Sequence, residues 1–301
     1  MWIPSGVVHI PRSLTSVLFA VTLCGVAACS GADDTAPVAS VAVTPAKARV
    51  PVGSPLELAY RFEPTVAIDG DYTVFVHLVN ADGQMLWADD HQPPVPTSQW
   101  KAGTPVEYTR MQFLPASVHP ADVTVEVGLY RESDRLPLKS AMPQRDATGR
   151  AYPVAELQLA PASENVFVIY QSGWYPEEFS PDNPSQSWKW TQKVATVAFR
   201  HPKSDMTLLL EYAGQPDRFP GSPQHVTVIG ANNEPIATFP ADSFTPTLRR
   251  ILVTGAQLGT ADLAELRIQV DQTFVPAETP GAGADTRPLG IRVYQLFIEP
   301  R

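Results

Sequence analysis

Val123-Thr124-Val125-Glu126-Val127-Gly128-Leu129-Tyr130 places an apolar residue at every second position. Successive side chains of extended backbone point to opposite sides, so this is the period of a strand with one face buried. Upstream, Tyr72–Val79 is a nearly continuous β-branched and aromatic run, which suits a central strand. Asn80-Ala81-Asp82-Gly83 closes it as a turn and leads into Gln84–Trp87, and Pro93, Pro94 and Pro96 break the chain beyond. From about Val38 to Pro161 the pattern gives seven or eight short strands at hairpin spacing and no convincing amphipathic helix. This predicts an immunoglobulin-like β-sandwich over residues 38–161, without the Cys and Trp hallmarks of true immunoglobulin domains.

Residues 162–301 read the same way. Strand candidates are Val166–Gln171, Val194–Phe199, Met206–Tyr212, His225–Gly230, Arg249–Thr254, Leu263–Val270 and Gly290–Ile298. Leu266, Ile268 and Val270 alternate with Arg267, Gln269 and Asp271. The last strand is apolar on both phases (Ile291, Val293; Tyr294, Leu296, Ile298), as a central strand would be. The prediction is a second sandwich of the jelly-roll or galactose-binding-like kind, so the expected fold class is all-β, two β-sandwiches in series.

The chain has 301 residues, 44% hydrophobic and 18% charged, with 22 Lys and Arg against 31 Asp and Glu and a formal net charge of −9. It is too apolar to be disordered and long enough for two domains. The acidic balance argues against sequence-independent nucleic-acid binding, which needs clustered cations. Only one segment is apolar enough to enter a bilayer, which excludes a polytopic transporter.

That segment is N-terminal. Arg12 ends a short n-region, Leu14–Ala28 is an apolar run of signal-peptide length, and Val26-Ala27-Ala28-Cys29 follows. These four residues resemble the lipobox of bacterial lipoproteins. The resemblance implies cleavage after residue 28, acyl chains on Cys29, and, in a diderm bacterium, because Ser30 and not Asp follows, delivery to an outer membrane with the protein facing the periplasm. Gly31–Pro37 is small, polar and acidic, so residues 29–37 read as a tether. Cys24 would leave with residues 1–28, so the mature chain would hold no internal disulfide, no catalytic thiol and no Cys-based metal site.

The aromatic residues of the second block are the most informative. Trp174 and Tyr175 precede Trp188 and Trp190 within a loop-rich stretch, with Glu177 and Glu178 nearby. Sugars bind flat aromatic faces beside carboxylates and amides. Trp188 and Trp190, two apart, point to one face of a strand and also suit the core, whereas adjacent Trp174 and Tyr175 point apart. A second cluster holds Asp271 before a Gly-rich connection and Arg287 after it. There Asp285 and Arg287 make either a structural ion pair or, with Asp271, a ligand contact. The candidate carbohydrate-binding set is therefore Trp174, Tyr175, Glu178, Trp188, Trp190, Asp271 and Arg287.

Catalysis has little support. No G-x-S-x-G or H-E-x-x-H is present, and adjacent Glu177 and Glu178 diverge instead of facing each other as a glycosidase pair would, while Glu178 with Asp182 or Asp271 stays open as such a pair. His77, Asp89, Asp90 and His91 match no metal spacing, and Asp69-Gly70-Asp71 suits a solvated turn better than a calcium site. No catalytic residue, metal or cofactor is expected.

The segment HLVNADGQMLWADDHQPPVPTSQW (77–100), with the later GLYRESDRLPL, resembles a β-sandwich domain found beside bacterial integral-membrane glycosyltransferases. GWYPEE with WKW, FVPAE and DTRPLGIRV resembles a second β-domain fused to glycosyltransferases of envelope polysaccharide synthesis. The resemblance implies accessory sandwiches working near envelope sugars and no catalytic residues of their own. The expectation is a non-enzymatic lipoprotein that binds envelope polysaccharide through its C-terminal sandwich. The alternative is an assembly protein that docks a glycosyltransferase or export component.

Overall fold

The computed structural model describes residues 35–144, 149–184, 186–278 and 284–301. The expected signal sequence, Cys29 and the tether up to residue 34 lie outside the described residues.

Ten strands build the N-terminal sandwich: β1 (Ala39–Pro45), β2 (Arg49–Pro51), β3 (Pro55–Pro64), β4 (Thr73–Asn80), β5 (Met85–Ala88), β6 (Val106–Phe113), β7 (Asp122–Arg131), β8 (Asp134–Arg135), β9 (Leu138–Lys139) and β10 (Tyr152–Ala160). One sheet runs β6-β3-β1-β9; the other runs β2-β10-β7-β4-β5, with β8 on β7. The alternating stretch is β7, paired antiparallel with β4 from Thr73↔Tyr130 to Asn80↔Val123. That register puts Val74, Val76, Leu78, Val125, Val127 and Leu129 in one buried cluster. Each such side chain contributes roughly 1.5–3 kcal/mol when fully removed from water. Asn80 Oδ1 accepts from the Asp82 and Gln84 amides at 3.1 and 2.8 Å, and Gly83 takes φ +80°, so the turn residues fix where β4 ends.

The C-terminal sandwich holds β11 (Val168–Tyr170), β12 (Trp174–Phe179), β13 (Ser187–Thr191), β14 (Val194–Arg200), β15 (Met206–Ala213), β16 (His225–Ile229), β17 (Pro235–Pro240), β18 (Thr247–Val253), β19 (Leu263–Val270) and β20 (Arg292–Pro300). Its sheets run β11-β14-β19-β16-β17 and β12-β13-β20-β15-β18. The core between them is lined by Val197, Phe199, Leu208, Leu210, Leu266, Ile268, Val293 and Ile298, among others. The fold class is therefore all-β, two sandwiches in series, as the alternation predicts.

Three local expectations need correction. The stretch from Trp174 to Trp190, read as loop-rich, is the hairpin β12–β13; its prolines and short bulged pairing hide it. β17 escapes a pattern reading because prolines stand at both its ends, which an edge strand tolerates. β20 is central, yet its two apolar phases have a different cause. A bulge opposite Glu211/Tyr212 shifts its phase, so Ile291 and Val293 face the core before it, and Leu296 and Ile298 after it. Tyr294 is left on the outer face.

Part of that outer face is covered by the N-terminal sandwich. Phe297 meets Phe113 with ring centroids 6.1 Å apart, Leu209 is buried, and Arg250 pairs with Glu57 and Glu299 with Lys47. The opposite end of the same face, from β12 to Arg292, carries the site described next.

Candidate functional site

Three adjacent strands supply one row of side chains. Glu178 on β12 is in register with Trp188 on β13, and Trp190 on β13 is in register with Arg292 on β20. Cross-strand partners share a face, so Glu178, Trp188, Trp190 and Arg292 all lie on the outer side of the sheet. Tyr294 joins them, its ring 5.9 Å from Trp188 at 54°. Arg292 lies over both indoles, at 5.1 Å from Trp188 and 5.0 Å from Trp190.

One edge of this face is a closed network. Arg287 Nε and Nη2 donate to both carboxylate oxygens of Asp285, and Nη2 also donates to Glu178 Oε1 at 2.8 Å. The guanidinium stands 5.1 Å over the Tyr175 ring, and the Tyr175 hydroxyl donates to the Pro288 carbonyl at 3.1 Å. Trp190 Nε1 donates to Glu178 Oε2 at 3.2 Å. Hydrogen bonds from Arg287 hold the Asp285 carboxyl below the usual carboxylate range, and Asp285 raises the guanidinium in turn. Burial raises the Tyr175 phenol, partly offset by the Arg287 charge. The network fastens the return of the 274–289 connection onto β12. Phe274, in an isolated bridge with Leu289, caps it by packing 5.7 Å from Trp190.

The other edge is not closed by hydrogen bonds. Arg292 Nε and Trp188 Nε1 are buried and find no acceptor among the described residues. Glu211, on β15 opposite Gln295, is half-buried; desolvation alone lifts its carboxyl above the ordinary value.

Five of the seven sequence candidates thus come together: Tyr175, Glu178, Trp188, Trp190 and Arg287. Two do not. Trp174 packs against the core from the other face of β12, and its Nε1 donates to the Thr196 carbonyl at 2.8 Å. Gly173 fixes that inward turn; it has φ +80°, and a Cβ there would lie 1.9 Å from the Val194 carbonyl oxygen. Asp271 follows β19 at the end of the opposite sheet, where it accepts from the His225 amide at 2.8 Å. Sequence reading missed Arg292, Tyr294 and Glu211, whose neighbours depend on strand register and on the β20 bulge. The only available signal was their position in the last, densely apolar strand and its neighbour.

In the N-terminal sandwich, His91 and Asp89 belong to a packed polar cluster. Asp89 takes a two-point bond from Arg110 at 2.6 and 2.8 Å, and His91 Nε2 meets the Tyr108 hydroxyl at 2.9 Å. Burial lowers His91 and raises the phenols of Tyr60 and Tyr108. Asp90 instead accepts from the Tyr130 hydroxyl, and Asp71 from the Ser98 amide. Among the described residues no three His, Cys, Asp or Glu side chains are placed to hold a metal ion.

No protein-family model matches the chain, and no curated protein does. Among solved structures it is similar to trypsin-activated α2-macroglobulin from Escherichia coli, at 10% identity over 86% of this chain and 15% of that one, with a TM-score of 0.24. It is similar to Bacteroides uniformis β-glucuronidase at 10% identity over 86% and 30%, TM-score 0.28. A third is a Clostridium perfringens M60 catalytic domain with two CBM51 domains, at 9% identity over 82% and 34%, TM-score 0.23. The chain thus spans between 15% and 34% of the length of these structures.

Proposed function

We propose that this protein is a non-catalytic, lipid-anchored envelope protein whose C-terminal sandwich binds carbohydrate on its outer sheet face, beside Trp188 and Tyr294. The observation that carries the reading is the pair of adjoining rings, Trp188 and Tyr294, beside Trp188 Nε1 and Arg292 Nε, which have no hydrogen-bond partner among the described residues. Aromatic faces take the C–H side of a sugar, and neighbouring donors and acceptors take its hydroxyls. Trp174 and Asp271 leave the proposed site; Tyr175, Glu178, Trp190 and Arg287 brace its edge. Glu178 and Asp285 are both bound to Arg287, which favours binding over a carboxylate-pair hydrolysis.

Affinity electrophoresis of the purified chain through gels containing the host's envelope polysaccharides tests this. Retardation is expected, and Tyr294→Ala should relieve it while the melting temperature stays within a few degrees. Unretarded migration in every such gel would remove the carbohydrate reading. Anchoring rests on Val26-Ala27-Ala28-Cys29 and, with it, outer-membrane placement facing the periplasm. Cys29→Ala should abolish incorporation of labelled fatty acid; undiminished labelling would refute the anchor.

A second reading has its own observation. β11 is a three-residue sheet edge that leaves Ile169 44% and neighbouring Phe167 81% exposed. They line a cleft of about 830 Å³ with Leu263, Arg200 and Lys203. An exposed edge with apolar neighbours suits a protein partner in polysaccharide synthesis or export. A stoichiometric partner that survives glycan digestion and is lost on Phe167→Ser would favour it.

A further inference from the structure

We infer that the sugar taken by the outer face carries a carboxylate, and that Arg292 receives it. The inference rests on the carbohydrate reading above and names the class of sugar. The arginines of this sheet face are not equally engaged. Arg287 is tied to Asp285 and Glu178, and Arg250 to Glu57. The Arg292 side chain makes neither a hydrogen bond nor an ion pair among the described residues, and its Nε is buried without an acceptor. A partly desolvated cation with no counter-charge costs free energy, and an arriving anion recovers it.

The geometry favours a carboxylate on a ring. Indoles at 5.1 and 5.0 Å flank the guanidinium, so its orientation is largely set before any ligand arrives. A planar fork matches a planar carboxylate through two parallel N–H···O bonds. Among the described residues, no acid is paired with it. Glu178 is held by Arg287 and Trp190. Glu211 stands opposite Gln295, whereas Arg292 stands opposite Ala213. Trp188 and Tyr294 offer the apolar surface for the sugar ring, and Glu211 is an acceptor for its hydroxyls.

The test is affinity electrophoresis of the full chain in three gels: polygalacturonate, the same polymer after carboxyl reduction, and polyglutamate. Retardation by polygalacturonate should exceed that by either of the others by about tenfold or more, the range of a charge-assisted bond. Arg292→Gln should remove the preference and Arg292→Lys should retain part of it, since a point charge keeps attraction but not the two-point fit. Equal retardation by native and reduced polymer would overturn the carboxylate inference and leave the carbohydrate reading standing. Equal retardation by polyglutamate would mark a plain polyanion site and overturn it as well. Free migration in all three gels would overturn the inference, and free migration in the host-polysaccharide gels too would overturn the carbohydrate reading. The wild-type comparison needs no variant to fold.

Discussion

Replacing Arg287 with methionine keeps the aliphatic stem and removes four hydrogen bonds to two carboxylates, together with the charge over Tyr175. The partners are about one-third exposed, with side-chain exposures of 35% for Arg287, 32% for Glu178 and 30% for Asp285. Solvent therefore screens each pair to about 1 kcal/mol or less. Two such pairs and a cation–π contact of ~0.5 kcal/mol sum to about 2 kcal/mol. For a unit of this size that lowers the melting temperature by roughly 4–8 °C. The sign of the pH dependence follows from Asp285, whose folded pKa is depressed by Arg287. Its contribution is present above the ordinary carboxylate value near 4 and is lost as pH falls through the lower folded value. Thermal melts of wild type, Arg287→Met, Asp285→Asn and the double variant at pH 7 and pH 3 measure both quantities. A large gap at pH 7, a small one at pH 3 and a positive coupling between the two sites are expected. Additive single variants, or a gap unchanged at pH 3, would refute the brace. Loss of glycan retention in Arg287→Met without loss of melting temperature would make Arg287 a ligand contact instead.

Trp190→Ala removes a buried indole held by Phe274, Arg292 and Glu178, and should cost about 3–5 kcal/mol, seen as a lower urea midpoint. Glu211→Gln should raise the melting temperature at pH 7, because burial penalises the carboxylate. Since its folded pKa is raised, that gain should fade as pH drops through the folded value towards the ordinary one near 4.5, and a gain that persists at pH 3.5 would contradict the desolvation argument. His77 and His91 are held below their ordinary value by burial, the latter among Asp89, Arg110 and Tyr108. The unfolded chain therefore takes protons that the folded one resists as pH falls below about 6.5, so stability should drop there. A His77→Gln/His91→Gln protein should show a flatter urea midpoint between pH 7.5 and 5.5; an unchanged slope would exclude these two residues as the cause.

The sandwich class was legible because two-residue periodicity survives any packing partner, as β7 and β19 show. Half of the site was legible for the same reason: Trp188 and Trp190 had to share a face wherever their strand lay. What they face was not. Arg292 lies about a hundred residues from the indoles it touches, and only the β13–β20 register brings them together. The inward turn of Trp174 depends on Gly173 meeting the Val194 carbonyl, a contact that no local pattern encodes. Phase counting on β20 fails outright, because a bulge on one strand is recorded only in its pairing with the next.

β20 begins beneath the indoles at Arg292 and reaches the N-terminal sandwich at Phe297 and Glu299. Five to seven residue steps of extended chain, roughly 17–23 Å, join the two places. If the proposed glycan site and membrane anchor both hold, a polymer gripped at Arg292 and pulled against the N-terminal sandwich would draw β20 lengthwise against β15. Their ladder, running from Met206↔Pro300 to Ala213↔Arg292, would meet that tension in shear, many hydrogen bonds strained at once, and would not open like a zipper from one end. A strand placed in this direction resists stretching far better than it resists peeling, so under that load β20 would act as a mechanical link as well as a floor.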